Sequence, residues 1–168
     1  RAAPRDATAW MRAAEARATW VLHRKYRGEV PVELHRAAIA DYDEALRVAE
    51  HSMMYVARGV ARLNWERGLA SGTKDPEATL QPSLKDFGRA LEINPELVEA
   101  RFTRGETNLF IGSTLLQRGK DPTRFYTAAL ADLDIARAKS PQDGRVAMAR
   151  AGVHASRASW AMGRRENP

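Results

Sequence analysis

Three stretches of the chain are versions of one another, and this self-similarity restricts the possible folds more than any other feature. Ala38-Ile39-Ala40-Asp41-Tyr42-Asp43-Glu44-Ala45-Leu46 returns as Ser83-Leu84-Lys85-Asp86-Phe87-Gly88-Arg89-Ala90-Leu91, and again as Ala129-Leu130-Ala131-Asp132-Leu133-Asp134-Ile135-Ala136-Arg137, at offsets of 45 and 46 residues. Arg12, Arg58, Arg104 and Arg150 lie 46 apart, each followed by a small residue (Ala13, Gly59, Gly105, Ala151). A fixed period of this size marks an array of supersecondary units that bury their apolar faces only by stacking. The functional question becomes which surface the stack presents.

The spacing of apolar residues predicts helices throughout. Helices are expected over Ala7–Arg27, Pro31–Glu50, Ser52–Leu69, about Glu77–Ile93, Pro95–Gln117, Thr123–Lys139 and Gln142–Met162. Gly28 and Pro31, the run Ser71-Gly72-Thr73-Lys74-Asp75-Pro76, and Arg118-Gly119-Lys120-Asp121-Pro122 punctuate them. Pro82 is expected at a helix start or in an irregular first turn, because an internal proline loses a hydrogen bond and clashes with the preceding turn. Gly163 is expected to stop the last helix. Odd-numbered helices are equivalent to one another, as are even-numbered ones, giving units at about 7–51, 52–95 and 96–141 and a terminal helix at 142–163.

Aligned on the 46-residue step, Trp10, Val56, Phe102 and Met148 form one column, and Ala13, Gly59, Gly105 and Ala151 another. In the even helices Tyr42, Phe87 and Leu133 align, as do Ala45, Ala90 and Ala136. Small residues let helices approach closely, and a large residue fills the gap beside them. Arg104-Gly105 followed by Gly112, then Ala129, Leu133, Ala136 and Pro141, resembles a tetratricopeptide repeat; Ser83, Phe87, Ala90 and Pro95 match in the second unit, and Ala38, Tyr42 and Ala45 in the first. The resemblance spans about residues 8–163 and implies an all-α, right-handed solenoid of helical hairpins. The departures are a repeat of about 46 residues rather than about 34, Glu50 where a closing Pro is expected, and Glu66 where a Gly is expected. The extra residues, Gly112–Phe125 and their counterpart Glu66–Thr79, are expected to lengthen the helices of each hairpin.

The resemblance also implies a concave groove, built mainly from the odd helices, that binds a peptide or a partner helix. The matching positions are Trp10, Val56, Val60, Leu63, Asn64, Phe102, Glu106, Leu109, Phe110 and Met148. The Lys, Asn and Arg that hold a peptide carboxylate in some family members are largely missing. A ladder of ion pairs is expected between Arg12, Arg58, Arg104 and Arg150 and the even-helix Asp41, Asp86 and Asp132, since a guanidinium fork suits a carboxylate.

The chain has 168 residues, no cysteine and a net charge of +6. Thiolate chemistry and disulfides are excluded. The positive charge is spread over helix faces without a run of five like charges, so solvated faces are favoured over a nucleic-acid stripe. His23, His35, His51 and His154 lack metal-ligand spacing, and there is no phosphate loop or nucleophile motif. The expectation is a non-enzymatic protein-binding module with no cofactor and no membrane insertion. Polyanion binding through Arg-rich faces, or a self-associating spacer, are the alternatives. Arg1 in place of Met and the Ala/Arg-rich composition point to a piece of a larger bacterial protein, of the kind in which such repeats serve signalling. The expected compartment is the cytoplasm, with an exported or membrane-tethered parent as the alternative.

Overall fold

The computed structural model describes residues 6–70 and 75–166. Seven helices follow in order: α1 (Ala7–Tyr26), α2 (Val32–Val48), α3 (Ser52–Ala70), α4 (Pro76–Ile93), α5 (Val98–Gln117), α6 (Thr123–Lys139) and α7 (Gly144–Glu166). No strand occurs among the described residues. The chain is an all-α helical repeat. Helices pair most extensively as α1–α2, α3–α4 and α5–α6, and each pair leans on the next through α2–α3, α4–α5 and α6–α7.

The long hairpins follow from the extra residues, which lengthen α5 and α6 until they meet at a loop over 118–122. Gly119 there has φ +66°, and Gly28 at the end of α1 has φ +79°. Both turns close identically: Gly28 and Glu29 donate to the carbonyls of Lys25 and Arg24, and Gly119 and Lys120 to those of Leu116 and Leu115. A left-handed residue that returns two N–H groups to the last turn is a cheap helix stop for glycine and a strained one for other residues. Ser71–Lys74 of the second expected loop lie outside the described residues, but Asp75 caps α4 by accepting from the Ala78 N–H at 3.0 Å.

Three expectations about helix ends are corrected. Pro82 does not start α4; the helix begins at Pro76 and runs through it. Pro76 and Leu80 are fully buried and anchor the first turns, while Ala78 and Pro82 are both exposed, so the lost bond falls on the solvent side. Pro95 does not open α5. It sits in a turn in which Asn94 accepts from the N–H groups of Glu96 and Leu97, and α5 begins at Val98. Gly163 does not stop α7, which continues to Glu166; Gly163 is not in the left-handed region that made Gly28 and Gly119 stops.

The core is a chain of four apolar clusters between successive layers rather than one central nucleus. They centre on Ala14–Tyr42–Ala61, Val56–Ala90–Ala100, Leu80–Phe87–Ile111 and Phe102–Tyr126–Leu133–Val146. The small residues work by letting the facing ring lie on the backbone. A Cβ built at Gly59 would stand 2.6 Å from the Phe87 ring, one at Gly105 2.8 Å from Leu133, and one at Gly112 2.5 Å from the Tyr126 ring. In α1 the fully buried small residue is Ala14, which shares a cluster with Tyr42, and not Ala13. The first unit is therefore set one residue away from the 46-residue alignment.

Candidate interaction surface

The charged ladder shows the same register. The Asp86 carboxylate accepts from Arg58 Nε at 3.1 Å and Nη2 at 2.5 Å, and from Arg62 at 2.8 Å. Asp132 accepts from Arg104 Nε at 2.6 Å and Nη2 at 2.7 Å, and from Arg101 at 3.0 Å. Both aspartates are buried. Burial works against the Arg58 charge, yet its hydrogen bonds and charge contacts with Asp86 and Asp43 hold its pKa above the ordinary value. The hydrogen bonds that Arg104 donates to Asp132 raise its pKa against the cost of burial. A forked donor on a sequestered carboxylate is the geometry in which such a pair contributes most.

Arg12 does not join the ladder. Arg58–Asp86 and Arg104–Asp132 are each 28 residues apart, whereas Arg12 and Asp41 are separated by 29. One residue turns a helical side chain through about 100°. Arg12 is exposed, and Asp41 pairs with Arg17, four residues closer than the forked partner, as Arg62 is to Asp86. Arg150 pairs with Asp134 at 2.7 Å, on the helix before it.

The residues expected to line a groove divide into three sets. Val56, Val60 and Asn64 line a cleft of 310 Å³ between α1 and α3, which touch over only a short stretch. Leu63 and Phe102 are core residues; Leu109 and Phe110 pack against core clusters, with Arg67 over the Phe110 ring. Met148 is 77% exposed on α7, and Glu106 is half-buried outside the cleft. These positions do not form one continuous groove. Leu63 and Ile111 instead share a core cluster with Leu80, Phe87 and Phe125 between the α3–α4 and α5–α6 hairpins.

Sequence reasoning missed the opposite wall of the cleft. Ala18, Val21, Leu22 and Lys25 of α1 provide it, with Met53 and Ala57 of α3 also on the lining. The signal was the second 3–4 spaced stripe on α1, which the 46-residue columns did not use. At one end His35 stacks on Trp65, ring centroids 4.6 Å apart and planes 8° apart, while the Lys25 ammonium sits 5.6 Å from the Trp65 centroid and donates to the Asn64 carbonyl. Burial, reinforced by the charges of Lys25 and Arg62, pushes the His35 pKa down to about 4. Burial also lowers Lys25. Burial and the Glu15 charge push Tyr42, at the cleft's base, up to about 12. At neutral pH the cleft is thus an apolar slot whose His35 imidazole and Tyr42 phenol are uncharged, with Lys25 and Glu15 also on its lining.

No group of acids and histidines among the described residues could hold a metal ion. No helix among them is long and apolar enough to cross a membrane. No family model and no curated protein matches the chain. Among solved structures, the Arabidopsis OM64 TPR domain is similar, with a TM-score of 0.53 and 21% identity over 86% of this chain and 97% of that one. The fold is that of a tetratricopeptide-repeat array. The TPR-like hairpins here are longer than the family's usual unit and stack through the glycine, ring and Arg–Asp contacts described above.

Proposed function

We propose that this TPR-like array is a non-catalytic protein-interaction module that seats an apolar side chain of a peptide or partner helix between α1 and α3. The supporting observation is the cleft itself: a 310 Å³ slot whose walls include Val21, Val56 and Val60, with Glu15, Lys25 and Asn64 able to meet polar backbone or flanking groups. A slot of this size accepts one or two side chains of a helix laid in a groove. Arginines on every helix are engaged with carboxylates, as in Arg24–Glu29, Arg47–Glu44, Arg89–Glu50 and Arg124–Glu77, which favours a protein partner over a polyanion.

The test is selection of a displayed peptide library on the immobilised protein, followed by calorimetry of the selected peptides against the wild type, Met53→Asp and Leu22→Asp. The reading expects enriched apolar anchors and binding lost in both variants at unchanged fold. Selected peptides that bind both variants as well as the wild type would move the site elsewhere. Phe102 and Leu109, although groove positions by alignment, pack in the core, so charges there would test folding instead.

A further inference from the structure

We propose that the α1–α3 cleft is bipolar and receives a partner helix with a basic side chain at one end of its apolar anchor and an acidic side chain at the other. This rests on the reading of the cleft as a docking slot and names the chemistry of its occupant. Glu15 and Lys25 both line the cleft and lie ten residues apart on α1, about 15 Å along its axis. Ala18, Val21 and Leu22 stand between them on the same wall. The next seam, between α3 and α5, lacks this arrangement. One repeat on, Val60 and Asn64 are replaced by Glu106 and Phe110, and the Phe110 ring lies under Arg67 and packs against the Leu63–Ile111 cluster.

Charge identifies the occupant. Neighbouring charged side chains on the same helices are paired, as in Arg17–Asp41, Arg24–Glu29 and Arg58–Asp43. Lys25 and Glu15 form no ion pair among the described residues. The Lys25 ammonium donates to a backbone carbonyl, that of Asn64, and lies by the Trp65 ring. Burial lowers its pKa with no carboxylate to offset the cost. The Glu15 side chain is exposed at the cleft, and its charge helps to raise the Tyr42 phenol. A polyanion satisfies Lys25 and is repelled at Glu15. A helix with opposite charges about three turns apart meets both, and the apolar residues between them enter the slot.

The probe is a displayed library of alanine-based helical peptides of about 14 residues. Central positions vary among Leu, Ile, Met and Phe, and a pair of positions about three turns apart varies among Lys, Glu and Gln. It is selected separately on the wild type, Lys25→Glu, Glu15→Lys and Met53→Asp, each checked by circular dichroism melting. The wild type is expected to enrich one Lys with one Glu, Lys25→Glu a pair of Lys, and Glu15→Lys a pair of Glu. By calorimetry, a peptide matched to its protein should bind about three- to tenfold tighter than a mismatched one. Glu15 is exposed, so Glu15→Lys decides the matter even if Lys25→Glu melts early. Enriched charge pairs that do not change with the charge variants, with capture lost on Met53→Asp, would overturn this inference and leave the docking slot standing. Capture that Met53→Asp leaves intact, or no capture at all, would overturn both. A dimer by sedimentation that Met53→Asp dissolves would assign the cleft to a second copy and overturn the inference too.

Discussion

Replacing one glycine by alanine in two helices should move stability in opposite directions. Gly88 of α4 has nothing within 4 Å of an added Cβ, so Gly88→Ala gains only the helix-propensity difference of about 1 kcal/mol. Gly112 of α5 gains the same amount, but its new methyl would stand 2.5 Å and 2.8 Å from two carbons of the Tyr126 ring, where contact begins near ~3.5 Å. Tyr126 is fully buried and cannot swing away. Overpacking of this kind costs about 1–3 kcal/mol. That cost separates the two variants, and for a chain of this length it corresponds to a gap of about 2–12 °C in melting temperature. Thermal and urea melts by circular dichroism on wild type, Gly88→Ala and Gly112→Ala measure it directly. A third protein sharpens the test. The second unit has Leu80 where the third has Tyr126, and it tolerates Glu66 where the third has Gly112. In a Tyr126→Leu background, Gly112→Ala should therefore cost much less. If Gly112→Ala melts as high as Gly88→Ala, Tyr126 does not lie on the α5 backbone and the packing argument fails.

Other consequences follow from single positions. Gly119→Ala, at φ +66° with open space around it, should cost about 1–2 kcal/mol in urea unfolding through backbone strain alone. Phe102→Ala should cost about 3–5 kcal/mol, whereas Met148→Ala, at the aligned position but exposed, should stay within about 0.5 kcal/mol of wild type. His35 has a folded pKa pushed below its unfolded value, so the neutral form is favoured on folding. Its contribution is present above about 6.5 and is lost as pH falls toward about 4. Glu66, raised by burial, contributes the opposite slope in the acid range. His35→Leu should therefore flatten the acid-side loss of stability measured by urea titrations across that window, and an unchanged pH slope would contradict it.

The architecture was legible because each unit repeats the same physical problem and solves it with the same residues. Ala45, Ala90 and Ala136 are fully buried, as are the ring or branched residues beside them. The expected pairing of Arg with Asp rested on a similar recurrence, and Arg58–Asp86 and Arg104–Asp132 are forked pairs. What failed was phase at the ends of the array. Between Arg12 and Asp41 there is one residue more than in later units, and a register slip of one is invisible to column matching but turns the side chain off the partner. Helix ends were misplaced where a proline or glycine has two legitimate roles: Pro95 sits in a turn ahead of a helix, and Pro82 is tolerated on a solvent face. The groove was misread for a different reason. Burial of Leu63 and Phe102 depends on the crossing of neighbouring helices, and the columns record sequence equivalence without saying which face of a helix its neighbours leave open.

Double-mutant cycles across the ladder test the stacking register most directly. With alanine replacements and unfolding free energies, Arg58–Asp86 and Arg104–Asp132 should each show a coupling of about 1–3 kcal/mol, and Arg17–Asp41 a measurable one. Arg12–Asp41 should be additive within about 0.3–0.5 kcal/mol. Coupling of Arg12 to Asp41 as strong as that in the later units, with none for Arg17, would place the first hairpin one residue away from the register described and contradict the way the helices are stacked.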